Sequence, residues 1–243
     1  MLAPFSDSPN SPLSPDEITR VERFIAAYNA IDNRLGQILG AEQTFRSSVD
    51  QFARQNPWWR DAETLRLFAT IRNFLVHEKQ LPFDYPVVPG EAAVREIEAI
   101  RQRFLRPATL GEEFRREVLV LHPRAPLQNA LELIAQRGLS RFPIYENERF
   151  FGLLTENGVA RFLAAQVVAR RNFDAQTPIE NVLPRETKRR NYRFAATKTP
   201  VSQAAYWFAQ NTFLEAILIS ENGEQSRELI GIVTRGDVAG WSD

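Results

Sequence analysis

A segment written twice in the second half constrains this chain more than any other feature. Gly152-Leu153-Leu154-Thr155-Glu156-Asn157-Gly158-Val159-Ala160 returns as Gly231-Ile232-Val233-Thr234-Arg235-Gly236-Asp237-Val238-Ala239. A short apolar run and a polar turn precede each: Phe142-Pro143-Ile144-Tyr145 in the first, Ala216-Ile217-Leu218-Ile219 in the second. Self-similarity at this scale means that one supersecondary unit is used twice. The first copy is expected to run from a strand over Val118 to Leu121, through Pro126 and a helix from Leu127 to Arg137. A second strand, a turn from Glu146 to Arg149, a strand from Phe150 to Leu154 and a helix from Glu156 to Val168 follow. The second copy repeats this with Pro200, a helix from Val201 to Gln210 and the two apolar runs, and a longer turn from Glu221 to Glu228 accounts for its wider spacing.

The first half has helical periodicity instead. Ser14-Pro15-Asp16-Glu17 combines a capping hydroxyl, a proline at the first helical position and a glutamate in capping-box register. Apolar residues then recur at a 3.6-residue period from Ile18 to Leu39, and Gly40 is the stop. A second helix carries Phe45, Val49 and Phe52 and ends before Pro57-Trp58-Trp59. Asp61 can cap a third, with the stripe Leu65, Phe68, Arg72 and Leu75, and Leu81 to Gly90 reads as extended. A fourth shows Val94, Ile97, Arg101 and Phe104 and is closed by Leu105-Arg106-Pro107. The fold class is therefore α plus α/β, an all-α helical bundle followed by a tandem α/β pair. The expected boundaries are a disordered tail over 1–14, a helical domain over 15–107, a first repeat over 114–176, and a linker with the second repeat over 177–243. Ala108 to Glu113 is read as the joint between the halves.

Lys plus Arg and Asp plus Glu balance at 30 each, so no global field draws the chain to nucleic acid or membrane. There is no cysteine, which removes disulfides, thiolate metal sites and cysteine nucleophiles, and fits a reducing compartment. Two histidines alone offer no metal-ligand cluster, so the expected metal site is none. No apolar run approaches the ~20 residues that span a bilayer. The Ser- and Pro-rich start, Met1 to Ser14, lacks the pattern of a signal peptide and is read as a mobile tail of a cytoplasmic protein with no membrane partner.

Arg72-Asn73-Phe74-Leu75-Val76-His77 holds one of the two histidines. Asn73 and His77 share a helical face, whereas Arg72 places a charge on the apolar stripe, which needs a partner to be buried. Arg-Asn-x-x-x-His near the end of a helix in a small bundle resembles the HEPN superfamily. That resemblance implies a dimeric, metal-independent endoribonuclease with Arg72, Asn73 and His77 as catalytic residues. His77 would serve as general acid or base toward a ribose hydroxyl, Arg72 would hold the scissile phosphate and Asn73 would orient either. It equally admits a non-catalytic member, with Arg72 paired to an acid at a helix interface.

The region 114 to 243, with its paired prolines, helices, strands and Gly-x-x-Thr units in order, resembles a tandem pair of CBS domains (a Bateman module). Such pairs bind adenine nucleotides or their derivatives in clefts between the copies, through Gly-h-x-Thr/Ser-x-x-Asp. The hydroxyl meets phosphate and the carboxylate accepts from both ribose hydroxyls. Gly231, Thr234 and Asp237 keep this pattern, but the first copy has Gly158 where the acid would be. The resemblance implies that the Asp237 site also uses Ser140, Arg141, Phe142 and Pro143, with Arg141 reaching a phosphate or standing as a solvated strand-edge charge. Its regulatory ligand would be AMP, ATP, S-adenosylmethionine or a cyclic dinucleotide, with no cofactor required. Both resemblances imply a homodimer. They leave two functions open, a ribonuclease acting on an RNA substrate under nucleotide control and a non-enzymatic sensor that docks on a protein partner.

The remaining markers are read more plainly. Arg185, Lys188, Arg189, Arg190, Arg193 and Lys198 make a basic linker, read as a solvated loop or as contacts to a polyphosphate or RNA. His122 is read as structural, and Trp207 with Ala204 and Phe208 as core.

Overall fold

The computed structural model describes residues 13–40, 43–77, 85, 87–186, 191–225 and 228–241. The chain divides into two compact units, Met1–Pro107 and Ala108–Asp243. Residues 1–12 of the tail expected over 1–14, part of the extended stretch from Leu81 to Gly90, and Lys188 to Arg190 lie outside the described residues.

The first unit contains four described helices, α1 (Pro15–Leu39), α2 (Phe45–Gln55), α3 (Ala62–His77) and α4 (Glu91–Leu105). The capping box forms as its residue types demand. Ser14 Oγ accepts the Glu17 N–H at 3.3 Å, and the Glu17 carboxylate accepts the Ser14 N–H at 2.8 Å. Gly40 ends α1 in the left-handed conformation, φ 67°, where a Cβ would be strained. Val21, Phe24, Ala27, Tyr28, Ile31 and Leu35 form the buried stripe of α1 and pack into one core with Phe45, Val49, Leu65, Phe68, Leu75, Val94, Ile97 and Ile100. One detail departs from expectation. On α4 the buried position is Ile100, and Arg101 is exposed, because the stripe advances by three residues after Ile97. Asp61 directly precedes α3, and its carboxylate accepts from the Arg103 guanidinium at 2.6 Å, tying α4 to the start of α3.

The second unit opens with a short α5 (Leu110–Glu113), followed by α6 (Leu127–Arg137), β1 (Arg141–Glu146), β2 (Arg149–Thr155) and α7 (Glu156–Val168). Two 3-10 turns, Ile179–Asn181 and Leu183–Arg185, lead to β3 (Tyr192–Ala196), α8 (Val201–Gln210), β4 (Ala216–Ser220), β5 (Leu229–Val233) and α9 (Arg235–Ala239). β1 and β2 pair antiparallel; β4 lies parallel to β3 and antiparallel to β5. The repeat extends to irregularities: the register slips after Ile144 in β1, opposite Gly152, and after Ile219 in β4, opposite Gly231.

The strand expected over Val118 to Leu121 is reduced to one bridge, between Leu121 and Ile144. Its counterpart in the second copy is the full strand β3, in a stretch read as loop. Basic neighbours mask the alternation of Tyr192, Phe194 and Ala196 with Arg193 and Ala195. Tyr192 and Phe194 pack on the Phe150 ring at 4.8 and 5.1 Å, which holds the strand down.

The two copies exchange their leading segments. Ala108 to Glu113 is no free joint: Leu110 is fully buried among Val201, Ala204, Phe208, Ile217 and Val233 of the second copy. The Leu110 and Gly111 N–H groups donate to Thr199 O and Thr197 O, both at 2.9 Å, and Val201 N–H donates back to Ala108 O at 3.0 Å. Reciprocally, Ile179 and Val182, which precede the second copy, are buried among Leu127, Phe142, Leu154 and Phe162 of the first. The Leu127 N–H donates to Thr177 O at 2.8 Å.

Candidate functional site

Between the copies of the second unit lies a cleft of about 820 Å³. Thr234 and Asp237 enter it from the end of β5 and the first turn of α9, and Ser140 and Arg141 from the start of β1. These four expected site residues are therefore brought together. Phe142 and Pro143 are not among its lining residues. Phe142 is fully buried in the first copy's core, and Pro143 is buried with its carbonyl accepting the Leu121 N–H at 3.0 Å. As neighbours in β1 their side chains point to opposite faces of the strand, and both faces are covered there.

Asp237 is held by its neighbours. Its Oδ2 accepts from the Thr234 N–H at 2.7 Å, the Thr234 hydroxyl at 2.6 Å and the Arg116 guanidinium at 3.2 Å. Burial is the largest single influence on this carboxyl and pushes it up. The Thr234 bonds and Arg116 together outweigh it, so Asp237 ionises below the usual carboxylate range. Arg116 also donates through Nε to Ile232 O at 3.0 Å.

Arg116 and Arg137 line the cleft without any local motif to announce them. Arg116 arrives because its segment runs beside β5, its N–H donating to Ile230 O at 3.0 Å. Arg137 stands in the last turn of α6, before Gly138 turns the chain at φ 64°. Arg141 is anchored across the copies. Its Nε donates to Glu215 O and its Nη2 to Glu215 Oε2, both at 2.9 Å, and its Nη1 meets Ser140 Oγ at 2.5 Å. It is thus an interdomain tie, not the solvated edge charge of the plainer sequence reading. Three guanidinium groups outnumber the two carboxylates of the lining, Asp237 and Glu117, and with two hydroxyls they suit an anionic ligand that also carries vicinal hydroxyls.

The other candidate residues lie apart. On α3, Arg72 is partly buried, 5.6 Å above the Tyr28 ring, and interacts with the Asp32 charge of α1. Its Nε is buried with no hydrogen-bond partner. Asn73 is exposed, and the His77 side chain lies outside the described residues. In the basic stretch, Arg193 belongs to β3 and stacks on the half-buried Trp207 ring at 3.8 Å, so it is not a loop charge. His122 Nδ1 accepts the Arg124 N–H at 3.1 Å, and its Nε2 lies 3.4 Å from Glu146. Among the described residues no cluster of His, Cys, Asp or Glu could hold a metal ion, and no helix is long and apolar enough to cross a membrane.

Residues 111–165 match the family model of the CBS domain. They contain the first copy of this CBS-type region up to the last turn of α7. The CBS domain-containing protein YhcV of Bacillus subtilis (strain 168) is 26% identical over 123 residues, 51% of this chain and 77% of that protein. Among solved structures, the CBS domain pair of protein MJ0100 in complex with 5′-methylthioadenosine and S-adenosyl-L-methionine is similar over 55% of this chain and 94% of its own. Its identity is 18% and its TM-score 0.42. CBSX2 in complex with AMP is similar over 54% and 93%, with 20% identity and a TM-score of 0.40.

Proposed function

We propose that the second unit is a regulatory module that binds an adenosine-containing nucleotide in the cleft between its copies. The observation that carries this is the convergence of Thr234, Asp237 and Ser140 with Arg116, Arg137 and Arg141 on one cleft of ligand size. The Asp237 carboxylate is the acceptor for the ribose diol, the guanidinium groups hold phosphate or carboxylate oxygens, and the Thr234 hydroxyl joins them when it turns from Asp237 to the ligand. The ligand classes remain AMP, ATP, S-adenosylmethionine and cyclic dinucleotides, and the expected assembly remains a homodimer. No chemical step is assigned to the cleft.

Thermal-shift titration with AMP, ATP, S-adenosylmethionine and a cyclic dinucleotide, on wild type and Asp237→Ala, tests this. A ligand at 100 times its Kd stabilises the native state by about 2.7 kcal/mol. The expected outcome is a shift with at least one compound that Asp237→Ala abolishes. Equal shifts in both proteins, or none in either, overturn the assignment.

For the helical unit we favour the non-enzymatic sensor that docks on a partner. Arg72 faces Tyr28 and Asp32 while Asn73 is exposed, which supports a structural role for the arginine. RNA cleavage by the purified protein that is lost in His77→Ala, with folding and association intact, would reverse this in favour of a HEPN-like ribonuclease.

A further inference from the structure

In the second copy Thr234 and Asp237 satisfy one another, as described above. In the first copy Thr155 has Gly158 three residues on and no acid of its own. Its donors are met all the same. The Thr155 N–H donates to Glu186 Oε1 at 2.6 Å, and the Thr155 hydroxyl lies 3.0 and 3.2 Å from Oε1 and Oε2. These are the bonds Asp237 makes to Thr234, supplied by a residue that follows the second 3-10 turn.

The position coincides as well as the bonding. A Cβ built on Gly158 would stand 2.0 Å from Glu186 Oε1, closer than any real contact. The carboxylate therefore fills the volume in which a side chain at 158 would begin. Asn191, 5% exposed, donates to Glu186 Oε2 at 3.1 Å and fixes it from the other side. Thr155 is 2% exposed, whereas Thr234 is open to the cleft.

We propose that Glu186 is a relocated acid, which stands in for the aspartate the first copy lacks and closes that copy's site with the chain's own carboxylate. The pair then takes a nucleotide only in the Asp237 cleft, a consequence that rests on the nucleotide-binding reading. A ligand entering the first site would have to displace an acid that satisfies buried donors, and unmet donors are costly.

The placement is tested without any ligand, by a double-mutant cycle in urea denaturation of the full chain. Gly158→Asp alone puts two acids into one volume, and Glu186→Ala alone leaves the Thr155 donors unmet, so each lowers the midpoint. In the double variant Asp at 158 takes over those donors, and the midpoint lies above that of either single variant. Additive losses overturn the proposal. If Gly158→Asp does not fold, Gly158→Ala is compared in the wild-type and Glu186→Ala backgrounds. A loss confined to the former is expected, and equal losses overturn the proposal.

Closure is tested by titrating AMP calorimetrically. One AMP per chain, abolished by Asp237→Ala and retained in Glu186→Gln, is expected, and a second AMP per wild-type chain overturns closure. Should AMP bind to no variant, the nucleotide reading fails for that ligand while the cycle still decides the placement of Glu186.

Discussion

Leu110 is the residue at which the exchange of leading segments can be measured. Its side chain is fully buried among Val201, Ala204, Phe208 and Ile217. Leu110→Ala removes three carbons, worth about 0.8 kcal/mol each in transfer free energy, or about 2.4 kcal/mol together. The remaining cavity adds to this, because Val201, Phe208 and Ile217 stand on regular elements that relax little. Measured Leu→Ala costs in such cores run from about 2 to 5 kcal/mol, and about 3 kcal/mol is expected here. The assay is urea denaturation of the full chain, followed by the fluorescence of Trp207 and Trp241, which pack at the edge of the same core. Glu113→Ala, at an exposed position of the same segment, serves as the control and stays within about 0.5 kcal/mol of wild type. A cost below about 1 kcal/mol for Leu110→Ala would refute the reasoning, and 108–113 would be a joint after all.

Three further outcomes are expected. Gly231→Ala places a Cβ 2.2 Å from Phe114 O, so backbone must move and stability falls by roughly 1–3 kcal/mol; Gly36→Ala, with open space in α1, gains up to about 1 kcal/mol, both read from urea midpoints. Burial pushes the Glu186 carboxyl up, with Glu215 adding to it while the Thr155 bonds and Arg161 oppose. The native state thus binds more protons than the unfolded chain, and the penalty eases as pH falls through the folded pKa toward the unfolded value of about 4.3. Asp237 has the opposite sign and acts lower, its contribution being lost only as pH falls below its unfolded value of about 3.9. Wild type should gain stability relative to Glu186→Gln as pH falls from 7 to 4.5, whereas parallel profiles would contradict the assignment.

What the sequence made legible was local or repeated. Ser14, Glu17 and Gly40 specify the ends of α1 through their own backbone chemistry, and the helices after Pro126 and Pro200 follow from periodicity. Thr234 and Asp237 could be placed because their bonding is complete within one turn. The inward turn of the Phe142 and Pro143 side chains was not legible, because a sequence shows that a strand passes a cleft, not which face it turns to it. Arg116 and Glu186 escaped notice for a different reason. Each reaches its site from a distant stretch of chain, and nothing near either residue records the destination.

The exchanged leading segments also order events in time. Arg116 takes Ile232, 116 residues further on, as a partner, and Leu110 is enclosed by strands made almost as late. On the ribosome the helical unit is complete long before these partners exist, while Ala108 to Phe114 must wait for β5 to emerge. Contacts of such long sequence separation form slowly, because loop closure precedes any reward from packing. During that interval Leu110 and Phe114 lack their apolar partners, and surface exposed in this way invites chaperones and mispairing with another copy.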